Sequence, residues 1–493
     1  MVSARELALG WIEKNQDRII SVSDRIWEFA EVPLQEVKSC DLLASELERS
    51  GFSIVKGVGG MPTAFTATYG KGRPVIGMVG EYDAVPAVSQ KPVPRREPLV
   101  PGAPGHGCGH NICGTSAAAG AIAVKTAMEA HKLEGTIKFF GCPAEEILVG
   151  KVHMAHHGVF NNVDVVLGHH PSFMNTSVLT SESAMNSVKF HFHGKISHAS
   201  VSPELGISAL DAVELMNIGA NYLREHMIRE GRIHYLIEDG GLAQHVPFPN
   251  EVPPYARSWY WIRAPKREQV DKITGRILQI ADGTDLIAGT THDVEFVTGC
   301  YDILPNLALA QLYVANMREI GAPKHTDEEL TFAREIAKSV PLEEKRDAMK
   351  VQRMGAQWER LSDVVMDTSI TEPWGLGEFG TGSGDSGNVS YIAPTMKCRT
   401  AAYPPGLPHH SWQVTACSKT GIGHKSLIFG SKILACTALD LLTKPEVLAK
   451  VRKEFEERSK GKKYVSPLPD GVKLNLNQLP PQGVYPFFYD EET

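Results

Sequence analysis

Gly105-His106-Gly107-Cys108-Gly109-His110-Asn111 runs into an alanine-rich stretch, residues 115–130. Glycines hold a thiol and an imidazole two residues apart on a loop, and the alanine-rich stretch reads as a helix. At that spacing Cys108 and His110 can ligate one metal ion or two adjacent ones. Upstream, residues 74–80 read as a strand that ends on Glu81-Tyr82-Asp83. Downstream, the apolar run 135–143 reads as a buried strand with Glu145-Glu146 just past its end. Residues 163–168 read as another strand, ending at His169-His170, and a His409-His410 pair follows a Pro/Gly loop. Open α/β sheets gather ligands at their strand ends, so the recurrence of these motifs there predicts that they converge.

Outward from this centre, residues 4–30 and 37–50 read as helices, and residues 52–58 and 64–69 as two more strands. Residues 90–105 are a Pro-rich loop. Near Ala184 the rhythm changes. Residues 188–193 alternate as an exposed or edge strand does. A helix (207–227), a strand (255–262), a helix (267–287) and a strand (293–298) follow. This block, 184–303, reads as an α+β domain inserted into an α/β one formed by 1–183 and 304–493. Helices over 307–320 and 327–340, a Gly-rich turn segment over 377–387, a strand region and a C-terminal helix pair from His424 complete the second part. The tail after Lys460 reads as an irregular wrap.

The chain has 493 residues, room for two or three domains. Its net charge of −7 argues against a general nucleic-acid surface. No run of about 18 apolar residues predicts a membrane span. The N-terminal stretch lacks the apolar core and cleavage site of a signal peptide. Eight scattered cysteines in such a chain read as reduced thiols in the cytoplasm.

Each motif also has a bland reading. Adjacent acids such as Glu145-Glu146 usually mark a solvated loop, but they point different ways, so one can bind a metal while the other acts as a base. A lone His is more often structural, which is the reading for His153, His156, His157, His191 and His193. His170 and His410 suit rigid ligand presentation, with His169 and His409 as the alternatives. Cys113 reads as packed inside the helix that follows it.

These residues resemble the metallo-aminoacylase and glutamate-carboxypeptidase family of dinuclear exopeptidases, in its amidohydrolase branch. The resemblance is carried by Gly80-Glu-Tyr-Asp-Ala84, residues 105–111, Gly141-Cys-Pro-Ala-Glu-Glu146, His198-Ala199, Ser208-Ala-Leu-Asp-Ala-Val213, Ile262-Arg-Ala-Pro265 and His410-Ser-Trp-Gln413. It implies a three-layer α/β/α catalytic domain with a mixed sheet and an inserted α+β dimerisation (lid) domain. It implies Cys108, His110, Glu146, His170 and His410 as ligands of two divalent ions, Zn²⁺ or alternatively Mn²⁺. Glu145 would be the general base and Asp83 the acid that orients a ligand. His198 and Asn250 would reach a partner's site, Arg263 would grip a substrate carboxylate, and Ser383 and Gly384 lie in a loop that lines the pocket. Without the resemblance, His198, Asn250 and Arg263 would read as surface loop and ordinary strand residues. Residues 242–248 look longer than in such relatives, which would reshape the substrate pocket.

The resemblance also implies the activity, hydrolysis of the amide in an N-acyl amino acid with an aromatic acyl group, such as p-aminobenzoyl-glutamate. The expected assembly is a homodimer, or a hetero-oligomer with a related subunit, with no nucleic acid and no membrane. The alternatives are a dipeptidase or an auxin-conjugate hydrolase on the same scaffold, or a non-catalytic subunit. A non-catalytic subunit would have lost a ligand or the base, and none is missing.

Overall fold

Along the chain, helices α1 (Ala4–Lys14), α2 (Gln16–Phe29) and α3 (Val37–Arg49) precede strands β1 (Ser53–Lys56), β2 (Phe65–Lys71) and β3 (Val75–Glu81). Then come α4 (His110–His131), β4 (Gly135–Cys142), α5 (Gly150–His156), β5 (Val165–Ser172) and β6 (Ala184–His193). The middle holds α6 (Ala209–Leu223), β7 (Arg232–Asp239), β8 (Tyr255–Ala264), α7 (Arg267–Ala288) and β9 (Thr291–Cys300). Helices α8 (Leu307–Ile320), α9 (Asp327–Ala337), α10 (Leu342–Val351), α11 (Gln357–Ser362) and α12 (Ser386–Ser390) follow. Strand β10 (Thr395–Ala401) and helices α13 (Trp412–Cys417), α14 (Gly421–Thr443) and α15 (Pro445–Ser459) end the series. The computed structural model describes residues 2–241, 248–351 and 357–476, so most of the 242–248 insertion read from the sequence lies outside the described residues.

Six strands form one mixed sheet in the order β1-β2-β4-β3-β5-β10. Strands β4, β3, β5 and β10 are parallel, while β1 and β2 run antiparallel at one edge. The period of two along each central strand feeds two cores. Ile76, Met78, Phe139, Val165 and Leu167 face the core shared with α4 and α14. Val79, Phe140 and Val166 face the opposite core, with Met154 of α5 and Val389 of α12. Helix α14 is apolar and long enough to cross a membrane, but it lies buried in the first core against α4.

Residues 184–300 build a second, four-stranded antiparallel sheet, β7-β8-β6-β9. Val188, Phe190 and Phe192 pack with Val213 and Met216 of α6 and Ile273 and Ile277 of α7. Helix α5 and the loop before it meet the second sheet where Met185 and Cys300 pack on Leu148 and Val152.

Four expectations need correction. The single helix over 4–30 is two helices: Asn15 leaves helical geometry, and its side-chain amide donates to Trp11 O at 2.8 Å, a local bond that competes with the helix. The helix after Cys108 starts at His110 rather than at 115. Strand β6 is central, not exposed or at an edge. Its polar residues are paired on the open face, Lys189 with Glu238 at 2.8 Å and His191 with Glu295 at 3.0 Å, which gave it a surface-like pattern. Strand β7 was not expected at all. It is an edge strand, as β9 is on the other side, and half of its residues are exposed, so its sequence lacks a clean apolar alternation.

Candidate active site

Gly109 shapes the entry to the site. It takes φ +75° at the N-cap of α4, and a side chain there would collide with Pro171, 2.6 Å from where its Cβ would sit. The turn therefore places His110 on the first helical residue and Cys108 beside β5. The Glu145-Glu146 loop is also bent: Ala144 and Leu148 hold φ of +54° and +59°. Buried Glu36 secures that loop by accepting from Ala144 N at 2.8 Å, Leu34 N at 3.0 Å and Thr63 Oγ1 at 3.0 Å. His410 is itself at φ +54°, with its N–H donating to Gly107 O at 3.1 Å. Strained backbone of this kind persists where the surroundings fix it, commonly at functional sites.

These turns bring Cys108, His110, Glu145, Glu146, His170 and His410 together. Cys108 Sγ lies 3.5 Å from His170 Nε2, and His410 Nε2 lies 3.0 Å from Glu146 Oε2. His110 Nε2 is 3.7 Å from Glu145 Oε2. Asp83 is bound to two of the group, with His110 Nδ1 at 2.8 Å from Oδ1 and Glu146 N donating to Oδ2 at 2.8 Å. His170 Nδ1 contacts Pro171 O at 2.7 Å. Both imidazoles thus spend Nδ1–H on an oxygen and present Nε2 to the cluster, the arrangement that suits a metal-ligating His. His169 instead lies in the core, its nitrogens bound to Ser116 Oγ at 2.8 Å and Thr400 Oγ1 at 2.7 Å. His409 lines the adjoining cavity.

Behind these groups lies a buried charge network. Glu81 Oε1 is 2.7 Å from Lys151 Nζ and 2.6 Å from Lys397 Nζ, and Asp385 Oδ1 is 2.5 Å from Lys151 Nζ. Burial opposes ionisation of Glu81, but the two ammonium groups hold its carboxyl well below the usual range. Burial, reinforced by Glu81 and Asp385, pushes the Glu145 carboxyl up to about 8 in the metal-free chain; a bound cation acts in the opposite direction.

The cluster fits divalent ions. Donor atoms of Cys108, Glu146 and His410 lie within 4.8 Å of one another, as do those of His110, Glu145 and Glu146. His110 Nε2 and Glu146 Oε1 are buried with no hydrogen-bond partner among the described residues, which is costly unless another group takes them up. Thiolate, imidazole and carboxylate together match a borderline-soft divalent ion.

A cavity of about 780 Å³ opens on Glu145 and His170 and is walled by Trp374, Phe379, Ser383, Gly384 and Arg399 among others. Arg263, on β8, donates from Nη1 to the carbonyl of Thr381 on the cavity wall at 3.1 Å. His198 and Asn250 are exposed on loops joined by the bond from Ala199 N to Asn250 O at 2.7 Å, and neither is among the residues lining the cavity. The sequence does not single out Lys151, Lys397 or Glu36, nor the pairing of Asp385 with Lys151, since each meets its partner across a long stretch of chain. Cys113 packs in α4 as expected, yet it also abuts Glu81, His110 and His170.

The sequence of residues 77–355 matches the model of Peptidase family M20/M25/M40. The chain is 34% identical over 469 residues to a subunit of the p-aminobenzoyl-glutamate hydrolase of Escherichia coli, covering 94% of this chain and 96% of that one. It is 28% identical to the Xaa-Arg dipeptidase of Mus musculus, covering 90% of each. The fold matches the aminobenzoyl-glutamate utilization protein from Klebsiella pneumoniae with a TM-score of 0.58 at 15% identity, covering 87% of this chain and 97% of that one. With this family match and a metal-capable cluster at the strand ends, the chain belongs to Peptidase family M20/M25/M40 and is an amide-bond hydrolase.

Proposed function

We propose that this hydrolase cleaves the amide of an N-acyl amino acid with a free carboxylate, the acyl group being aromatic, with p-aminobenzoyl-glutamate as the reference substrate. The observation that carries the reading is the convergence of Cys108, His110, Glu146, His170 and His410 around Glu145 at the end of one cavity. Those five residues would hold two divalent ions, Zn²⁺ by donor chemistry, with Mn²⁺ as the alternative. Held there, such ions would supply Lewis acidity to the scissile carbonyl and to the attacking water.

Glu145 takes the proton of that water on its carboxylate and returns it to the leaving nitrogen. Asp83 keeps His110 in the tautomer and orientation that present Nε2. Arg263 binds the substrate α-carboxylate through its planar fork, and Ser383 and Gly384 line the same pocket. His198, aided by Asn250, comes from a second copy of the chain and stabilises the developing oxyanion. The 184–303 block is then the dimerisation and lid domain inserted between the catalytic parts, 1–183 and 304–493. Eight free, buried cysteines are consistent with a cytoplasmic setting.

The test is a panel of N-acyl amino acids given to the purified, metal-loaded chain alone. Turnover of aromatic acyl substrates is the expected result. No turnover without an added related subunit would contradict a self-sufficient enzyme.

A further inference from the structure

The cavity holds a cation that the hydrolytic steps do not use. Arg399 lies on β10 directly opposite His170 of β5 in the parallel ladder, and its backbone N–H donates to Thr176 O at 2.7 Å. Its side chain lines the cavity. Among the described residues its guanidinium has no ion pair or hydrogen bond. Lys397, two residues earlier on the same face of β10, also lines the cavity, but its ammonium is matched by Glu81 at 2.6 Å. Among the described residues, the one other carboxylate in the cavity wall besides Glu145 is Glu182, which sits against Gly384, where a side chain would collide with it. It makes no ion pair with Arg399. A half-buried guanidinium with no ion pair or hydrogen bond of its own, facing a cavity next to the reacting groups, leaves its planar fork open to an anion that enters there.

We propose that Arg399 is a carboxylate-binding residue that takes the side-chain carboxylate of an acidic leaving amino acid. This rests on the reading of the site as an N-acyl amino acid hydrolase. Arg263, anchored at Thr381 on the wall of the same cavity, takes the α-carboxylate, so two guanidinium groups address the two carboxylates of one leaving group. A planar fork suits each carboxylate, and charged hydrogen bonds of this kind discriminate strongly against a neutral isostere.

The experiment compares p-aminobenzoyl-glutamate with p-aminobenzoyl-glutamine on wild type, Arg399→Met and Arg399→Lys, with metal content measured in each. Wild type should favour the glutamate substrate in kcat/KM. Arg399→Met should lose roughly 10–100-fold on the glutamate substrate, mainly through KM, and change little on the glutamine one. Arg399→Lys should recover part of the loss. Equal loss on both substrates, or no loss, overturns the assignment. If Arg399→Met fails to fold or to keep its metal, Arg399→Gln replaces it. Calorimetric binding of free L-glutamate against L-glutamine to the same metal-loaded proteins separates the two failures. If neither substrate turns over but wild type selects L-glutamate and Arg399→Met does not, the hydrolase reading falls and the subsite stands. If Arg399→Met binds L-glutamate as wild type does, the subsite falls.

Discussion

Lys151→Met removes the ammonium that Glu81 and Asp385 share. Lys151 is wholly buried, and its Nζ lies 2.7 Å from Glu81 Oε1 and 2.5 Å from Asp385 Oδ1. Both contacts are ion pairs rather than well-aligned hydrogen bonds. In the variant Glu81 keeps Lys397 at 2.6 Å, but Asp385 Oδ1 loses the one cation paired with it among the described residues. Methionine keeps most of the stem packing, so the loss is electrostatic, and breaking a buried pair this way costs about 3–5 kcal/mol. Asp385→Asn leaves Lys151 paired with Glu81 and should cost less, about 1–3 kcal/mol. The double variant should cost at least about 1 kcal/mol less than the sum, because both changes act on one pair. Urea unfolding of the metal-free proteins, extrapolated to water, gives these values without the stabilisation that bound metal adds. Asp385 Oδ2 also accepts Lys151 N at 2.8 Å, so the variants loosen the link between the cavity wall and α5. A Lys151→Met cost below about 1 kcal/mol, or simple additivity in the double variant, refutes the reasoning.

Cys108→Ala should lower metal content and activity together, while Cys113→Ala should do neither; full metal occupancy in the Cys108 variant would count decisively against its role. Mixing inactive His198→Ala with inactive Glu145→Gln under subunit exchange should restore activity to at most about a quarter of wild type, from mixed dimers with one intact site. No recovery, with heterodimers shown to form, would place His198 outside the partner's site. Burial pushes the His153 imidazole down to about 4, below its unfolded value of about 6.5. The fold therefore favours neutral His153: its contribution is intact above about pH 6.5 and is lost as pH falls towards 4, by about 3 kcal/mol in total. His153→Gln should flatten the acid slope of stability of the metal-free protein over that window; an unchanged slope excludes His153 as its source.

The site was legible because its groups come in short, local patterns. Cys108 and His110 are spaced by glycine, Glu145-Glu146 follows a strand, and each paired histidine sits in or beside a strand or a rigid loop. What local pattern left open was which member of a pair faces the cluster. His169 and His170 occupy one strand and point to opposite faces, so only packing decides: Ser116 and Thr400 claim His169. The charge network was not legible, because Lys151, Asp385 and Lys397 meet Glu81 only after β3, α5, β10 and the loop before α12 have assembled. The α/β character and the inserted α+β block followed from strand and helix periodicity, while the three layers and the mixed sheet came from the family resemblance. The order within the second sheet did not, because polar pairs on its open face made the central strand β6 resemble a surface strand.

Turnover and metal content measured together on Glu145→Gln bear most directly on the site. The enzyme should keep the metal content of wild type while kcat on p-aminobenzoyl-glutamate falls by about 10²–10⁴-fold, since a proton acceptor is lost and no ligand is. Near-normal turnover would remove Glu145 as the base, and a parallel loss of metal would make it a ligand instead.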